Sequence, residues 1–306
     1  MEREAGAAAA SGEPAADRRS CVALVAAGRC PENNMCYFQK AESDCYVPGK
    51  DLLVPPPGFE APAALRFLNA ELDATPRTKL LFFGGAIEYQ LETICSLNHN
   101  GGLTPPDDLG LATLACPWYS GGVRQTVYRM YRDDPRFEFL SVGRDVLSKE
   151  GSAYMQGVAR SHFCLSPYGV GYGTRTKGSI VGGCIPVIIQ DGIKVEWEDD
   201  LPMEEFSVRL PSAWIYRLPE TLEALVASGR AETMQSHLRC VWPLFWWKPP
   251  LGRALRMTAC VLAARASGLQ QPKLDLGACT VQCTPSSQPW SIHRQRSSSG
   301  GGEGAV

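Results

Sequence analysis

Residues 161–191 read SHFCLSPYGVGYGTRTKGSIVGGCIPVIIQD. An apolar run, a glycine-rich loop, a short helical pattern, a second apolar run and an acid follow one another. That is the order of strand, turn, helix and strand in a parallel α/β fold, with the turn placed to hold an anion. The two apolar runs, HFCLSP and CIPVIIQ, are continuous rather than alternating, and the second is rich in β-branched residues, so both predict buried strands. Between them YGVGYGT brings Gly169, Gly171 and Gly173 to the C-terminal edge of the sheet, where glycine lets the backbone come close to a ligand. Thr174 is suited to cap the next helix, whose N–H groups and positive dipole end then face the loop. Arg175 and Lys177 add charge in the first turn, Arg175 with a fork that can grip phosphate through two hydrogen bonds.

Two other readings stay open at this point. The glycines could form only a tight turn beside solvated cations. Alternatively, the stretch could be a dinucleotide fingerprint, with Asp191 as the ribose acid about 20 residues on. The fingerprint is incomplete, because Thr174 and Thr176 stand where each glycine register needs its third glycine. An NAD(P)-binding oxidoreductase is therefore the weaker reading.

Outward from this stretch the same alternation continues. KLLFF (79–83), FEFLSV (137–142) and FSVRL (206–210) predict three further strands. GGVRQTVYRMYRD (121–133) predicts a helix with Val123, Val127 and Met130 on one face, and SKEGSAYMQGVARS (148–161) predicts another. PETLEALVAS (219–228) is a helix opened by Pro219. Five strands alternating with helices make one Rossmann-like layer. Residues 88–118, with NHNGGLTPPDDLG at their centre, fit no repeat of the pattern and read as an insertion. His99, Asp107 and Asp108 lie there without a partner to orient them.

Residues 1–44 are low in complexity apart from their cysteines, and the tail 266–306 reads as unstructured, so the folded body is expected over 45–265. The formal net charge of -2 gives no global field for nucleic acid, so any anion site must be local. The 12 cysteines do not fall into zinc spacings and leave disulfides and buried thiols both open. No apolar window reaches the roughly 20 residues of a membrane span, and the first 20 residues make a poor signal peptide. The run DGIKVEWEDDLPMEEFSVRL holds seven acids from Asp191 to Glu205 and reads mainly as a solvated loop. His162 opens a buried strand and reads as packed, and VWPLFWW (241–247) reads as core closure rather than a sugar platform.

Taken together, SHFCLSPYGVGYGTR, GGCIPVIIQD and WEDDLPMEEFSVRL resemble the exostosin-like glycosyltransferases, glycosyltransferase family 47, with members in animals, plants and green algae. The resemblance extends upstream through CYVPGKDLLVPP, LLFFGG and YSGGVRQTVYR and covers residues 45–210. It implies the Rossmann-like C-terminal half of a GT-B enzyme that transfers a sugar, with inversion, from a UDP-sugar or other nucleoside diphosphate sugar to a glycan or glycoprotein acceptor. It further implies no cofactor or bound metal, and the Golgi lumen or membrane as location. By position Arg175 becomes the pyrophosphate contact, Glu198 the acid near the ribose and Arg124 a second phosphate contact. Gly178 departs from the family pattern, which carries an acid there. The matching motifs begin only at Cys45, so most of the N-terminal acceptor half is expected to be missing, and no catalytic base is assigned. A catalytically incomplete nucleotide-binding remnant, or a non-catalytic hetero-oligomeric partner of another glycosyltransferase, is the alternative.

Overall fold

A computed structural model describes residues 24–26, 50–57, 65–85, 87, 120–140, 151–167 and 174–293. The insertion 88–118, almost all of 1–44, residues 294–306 and the loop with Gly169, Gly171 and Gly173 lie outside the described residues.

Strands β1 (Leu24–Ala26) and β2 (Leu52–Val54) pair in parallel. Helix α1 (Ala70–Ala74) then leads to the main body: β3 (Lys79–Gly84), α2 (Val123–Tyr131), β4 (Phe137–Leu140), α3 (Gly151–Ala159), β5 (Ser161–Pro167), α4 (Thr174–Val181), β6 (Ile185–Ile189) and β7 (Val208–Arg209). Its five strands pair in parallel in the order β4-β3-β5-β6-β7. All five strands expected from the sequence are present, and the layer is Rossmann-like. The two central strands read as continuous apolar runs because they are covered on both faces: Phe163, Ile185, Val187 and Ile189 are fully buried.

One helix face needs correcting. Val123 and Val127 are buried, but Met130 is exposed and Tyr131 takes the third inward position. Tyr131 stacks on Phe137 at 4.6 Å and donates its hydroxyl to the Ile215 carbonyl, so an i, i+4, i+8 stripe prevails over i+7.

After β7 come α5 (Leu218–Ala227), α6 (Arg230–Val241) and α7 (Ala254–Ala266). The aromatic run between the last two closes the core, with Trp242, Leu244, Phe245 and Trp246 buried. Helix α7 returns to pack on β2, where Arg265 donates to the Asp51 carbonyl at 2.9 Å and pairs with the buried Asp200. No helix among the described residues is long and apolar enough to cross a membrane.

The unstructured tail expected from residue 266 is overturned as far as residue 293. Strands β8 (Lys273–Asp275), β9 (Thr280–Gln282) and β10 (Trp290–Ser291) form an antiparallel sheet in the order β10-β9-β8. Strands this short do not hold a sheet unaided. Disulfides Cys240–Cys279 and Cys260–Cys283 anchor this one to α6 and α7, and Val281, Trp290 and Ile292 are buried beneath it. A third disulfide, Cys164–Cys184, ties β5 to the start of β6. Among the described residues three disulfides thus form where thiols and disulfides were both open.

The packing of α3 on β3 depends on Gly157. A methyl there would lie 2.3 Å from Cε2 of the buried Phe82 ring. Gly157→Ala is expected to cost about 1–3 kcal/mol, the usual penalty for overpacking. A melting temperature equal to wild type would show that α3 can lift without loss.

Candidate functional site

The strand order reverses direction once. From β3 the chain passes outward to β4, then crosses back over β3 to β5 and continues to β6 and β7. In open α/β sheets ligands bind at such a switch point, outside the C-terminal ends of the strands. Here the switch lies between β3, which runs into Gly84 and Gly85, and β5, which runs into the loop 168–173.

Two glycines open the β3 side. A Cβ on Gly84 would stand 2.6 Å from the Tyr154 ring, and one on Gly85 would stand 2.8 Å from a guanidinium nitrogen of Arg175. Their absent side chains therefore admit one aromatic ring and one cation. The Arg175 guanidinium sits over Tyr154 at 5.4 Å and near Phe83 at 5.9 Å, while Arg124 lies on Phe83 at 5.4 Å. Each contact of this kind is worth about 0.5–2 kcal/mol and, more usefully, fixes where the charge stands. Arg124 and Arg175 each occupy the first turn of a helix, α2 and α4, where the N-terminal dipole also favours an anion. The sequence places these arginines 51 positions apart, and the fold brings them to one ring.

Lys177 does not join them. It is 3% exposed, donates to the Pro56 carbonyl at 2.9 Å and lies 5.5 Å over the Trp246 ring. Two residues along a helix turn the side chain by about 200°, so Arg175 and Lys177 face opposite sides. Thr174 is the first residue of α4, so the capping position falls on Gly173, outside the described residues. Tyr154 occupies the room beside Gly178: its hydroxyl would lie 3.6 Å from a Cβ there.

Most of the acidic run is paired or buried, although Asp191 and Glu204 are exposed. Glu198 accepts from the Val195 amide at 2.6 Å and from Arg209 at 2.6 Å, which fastens the loop after β6 to β7. Asp199 pairs with Lys194, and Glu205 with Arg230. Asp191 receives the Ser212 amide at 3.0 Å, so the acid that a dinucleotide fingerprint would use for ribose anchors a turn. Glu196, hidden among these acids in the sequence, is completely buried and neither carboxylate oxygen is hydrogen-bonded to another residue. Desolvation first, and the neighbouring Glu198 to a smaller extent, push its carboxyl up to about 8, against the opposing pull of its own backbone amide and of Lys177. His162 opens β5 at the edge opposite the loop and meets Gln235 at 3.5 Å, as a packed histidine. Phe83, Tyr154 and Glu196 were not singled out from the sequence. The LLFFGG run was the one signal for the first two, since paired glycines at a strand end announce a close approach.

A family model described as the Exostosin GT47 domain matches residues 15–225. A rice protein (Oryza sativa subsp. japonica) named as a probable glucuronosyltransferase is 31% identical over 109 residues, which make up 35% of this chain and 24% of the relative. An Arabidopsis thaliana protein named as a probable beta-1,4-xylosyltransferase is 32% identical over 92 residues, covering 30% of this chain and 20% of that protein. A Physcomitrium patens protein named as a probable glucuronosyltransferase is 30% identical over 92 residues, 30% of this chain and 19% of its own length. The matched stretch therefore spans a quarter or less of these relatives.

Proposed function

The chain belongs to the exostosin GT47 family, and on that premise we propose that it binds a nucleoside diphosphate sugar in the crevice between β3 and β5. The proposed activity is transfer of the sugar to a glycan acceptor. The observation that carries this reading is the pair of guanidinium groups, Arg124 and Arg175, held on Phe83 at the switch point beside two helix N-termini. Such a pair suits a diphosphate better than a monophosphate, because two cations can each face one phosphoryl group.

In the proposed reaction the acceptor hydroxyl gives its proton to a base and attacks the anomeric carbon from the face opposite the leaving group. The bond from that carbon to the β-phosphate oxygen breaks, and its electron pair leaves with the nucleoside diphosphate. Arg175, Arg124 and the start of α4 stabilise that developing charge, with inversion at carbon and without a bound metal. The other half of a GT-B arrangement would hold the acceptor. Glu198, through its remaining carboxylate oxygen, is the proposed ribose contact, with the loop of Gly169, Gly171 and Gly173 around the phosphates. The three disulfides among the described residues support an oxidising compartment such as the Golgi lumen.

Calorimetric titration with UDP, UMP and uridine tests the reading, followed by assay of UDP-sugar hydrolysis and transfer. Affinity is expected to rise steeply from uridine to UDP. Binding of NAD without response to UDP would return the protein to the oxidoreductase class, and UDP binding without turnover would identify a binding protein that does not catalyse.

A further inference from the structure

At the opposite edge of the sheet lies a second cationic pocket that the donor reading does not use. It is an open cavity of about 220 Å³, lined by Arg66, Phe67, Arg77 and Arg239 and rimmed by Glu232, Gln235 and Ser236. Strand β5 is seven residues long, so the pocket stands roughly 20 Å from the switch-point crevice.

Its framework is one buried arginine and two partly exposed ones. Arg66 is 4% exposed and donates to the carbonyls of Ala159, Asp73 and Thr75. Arg77 donates to the carbonyls of Ser161 and Gly183, at the starts of β5 and β6. Arg239 reaches in from α6, lies 5.0 Å over the Phe67 ring and pairs with Asp73 at 2.7 Å.

The charges in this pocket do not cancel. Asp73 is shared between Arg66 and Arg239, and Glu232 is exposed at the rim. Arg77 has carbonyl partners but no ion pair with any acid among the described residues. Its burial, and then the nearness of Arg66 and Arg239, push its guanidinium down to about 9, and His162 is held below its usual range by burial and then by Arg77. Positive charge is thus concentrated around a cavity large enough for an anion with several waters, each of which takes about 30 Å³.

We propose that this pocket is a second anion site, which takes one oxyanion group, a phosphate, sulfate or sugar carboxylate, between Arg77 and Arg239. The source is either a free oxyanion or an acidic group carried on a glycan chain. An oxyanion here would meet the guanidinium that lacks an acid and the exposed one that can swing to it. It would link the start of the sheet to α6, far from the donor.

Thermal unfolding in inorganic phosphate against chloride at matched ionic strength provides the test, on the wild-type chain and on Arg239→Gln. Arg239 is 56% exposed in its side chain, so the variant keeps the fold. Phosphate is expected to raise the wild-type melting temperature saturably, with apparent affinity at least fivefold weaker in Arg239→Gln and a partial return in Arg239→Lys. UDP affinity is expected to be equal in all three, which separates this site from the donor site. An equal phosphate response in wild type and Arg239→Gln, or no response beyond chloride, overturns the proposal. An oligosaccharide ending in a uronic acid that competes with phosphate would assign the glycan source, and its failure to compete the free oxyanion.

Discussion

Arg175→Ala is expected to weaken UDP binding about 10- to 100-fold, the effect of losing one charge-assisted contact of about 1.5–3 kcal/mol. The side chain is half-buried and held between two rings rather than by the core, so the fold should survive its removal. Arg175→Lys keeps the charge but loses the fork and should recover only part of the affinity. Tyr154→Ala leaves the cation in place but frees it to wander, so a smaller loss is expected there. Calorimetry on the three variants reads the series directly. A UDP affinity within twofold of wild type in Arg175→Ala would remove the arginine from the phosphate site, whatever the other variants did.

Glu196 should give the protein an unusual pH dependence. Its carboxyl is raised from an ordinary 4.5 to about 8 because it is fully buried. The folded chain therefore binds a proton that the unfolded chain releases between those values, and stability falls as pH rises through that window. The contribution is fully present below about 4.5 and gone above about 8. At 1.36 kcal/mol per pH unit the loss is on the order of 5 kcal/mol. Glu196→Gln keeps the shape and cannot ionise, so it should match wild type near pH 5 and exceed it near pH 8.5. Denaturant unfolding of both proteins at the two pH values measures this. A variant less stable than wild type at both would mean that Glu196 and Lys177 fold as a buried ion pair, and that the carboxyl is charged.

Much of the layer was legible because its signals are local. Continuous apolar runs made β5 and β6 visible, and the glycines with Arg175 marked the candidate anion site. Misreadings came where a local rule was applied without geometry. Lys177 groups with Arg175 in the sequence because both lie in the first turn of the helix, although helical pitch puts them on opposite faces. The acids of 191–205 read as solvated because a charge run usually is, whereas Lys194 within the run, and Arg209, Arg230 and Arg265 from beyond it, pair with them. The tail after residue 266 looked unstructured for a similar reason. Cys279 and Cys283 signal order only once Cys240 and Cys260 stand beside them.

By itself the sequence determined the class of fold, the family, and the stretch that would face an anion, since periodicity, glycine spacing and motif order all act within a few residues. The tertiary structure alone decided which cations gather there. It brought Arg124 to the ring that Arg175 uses, sent Lys177 into the core and buried Glu196 without a hydrogen bond to another residue. Those outcomes depend on the strand order and on helix orientation across the sheet, and a charge far along the chain meets its partner only when the sheet has closed.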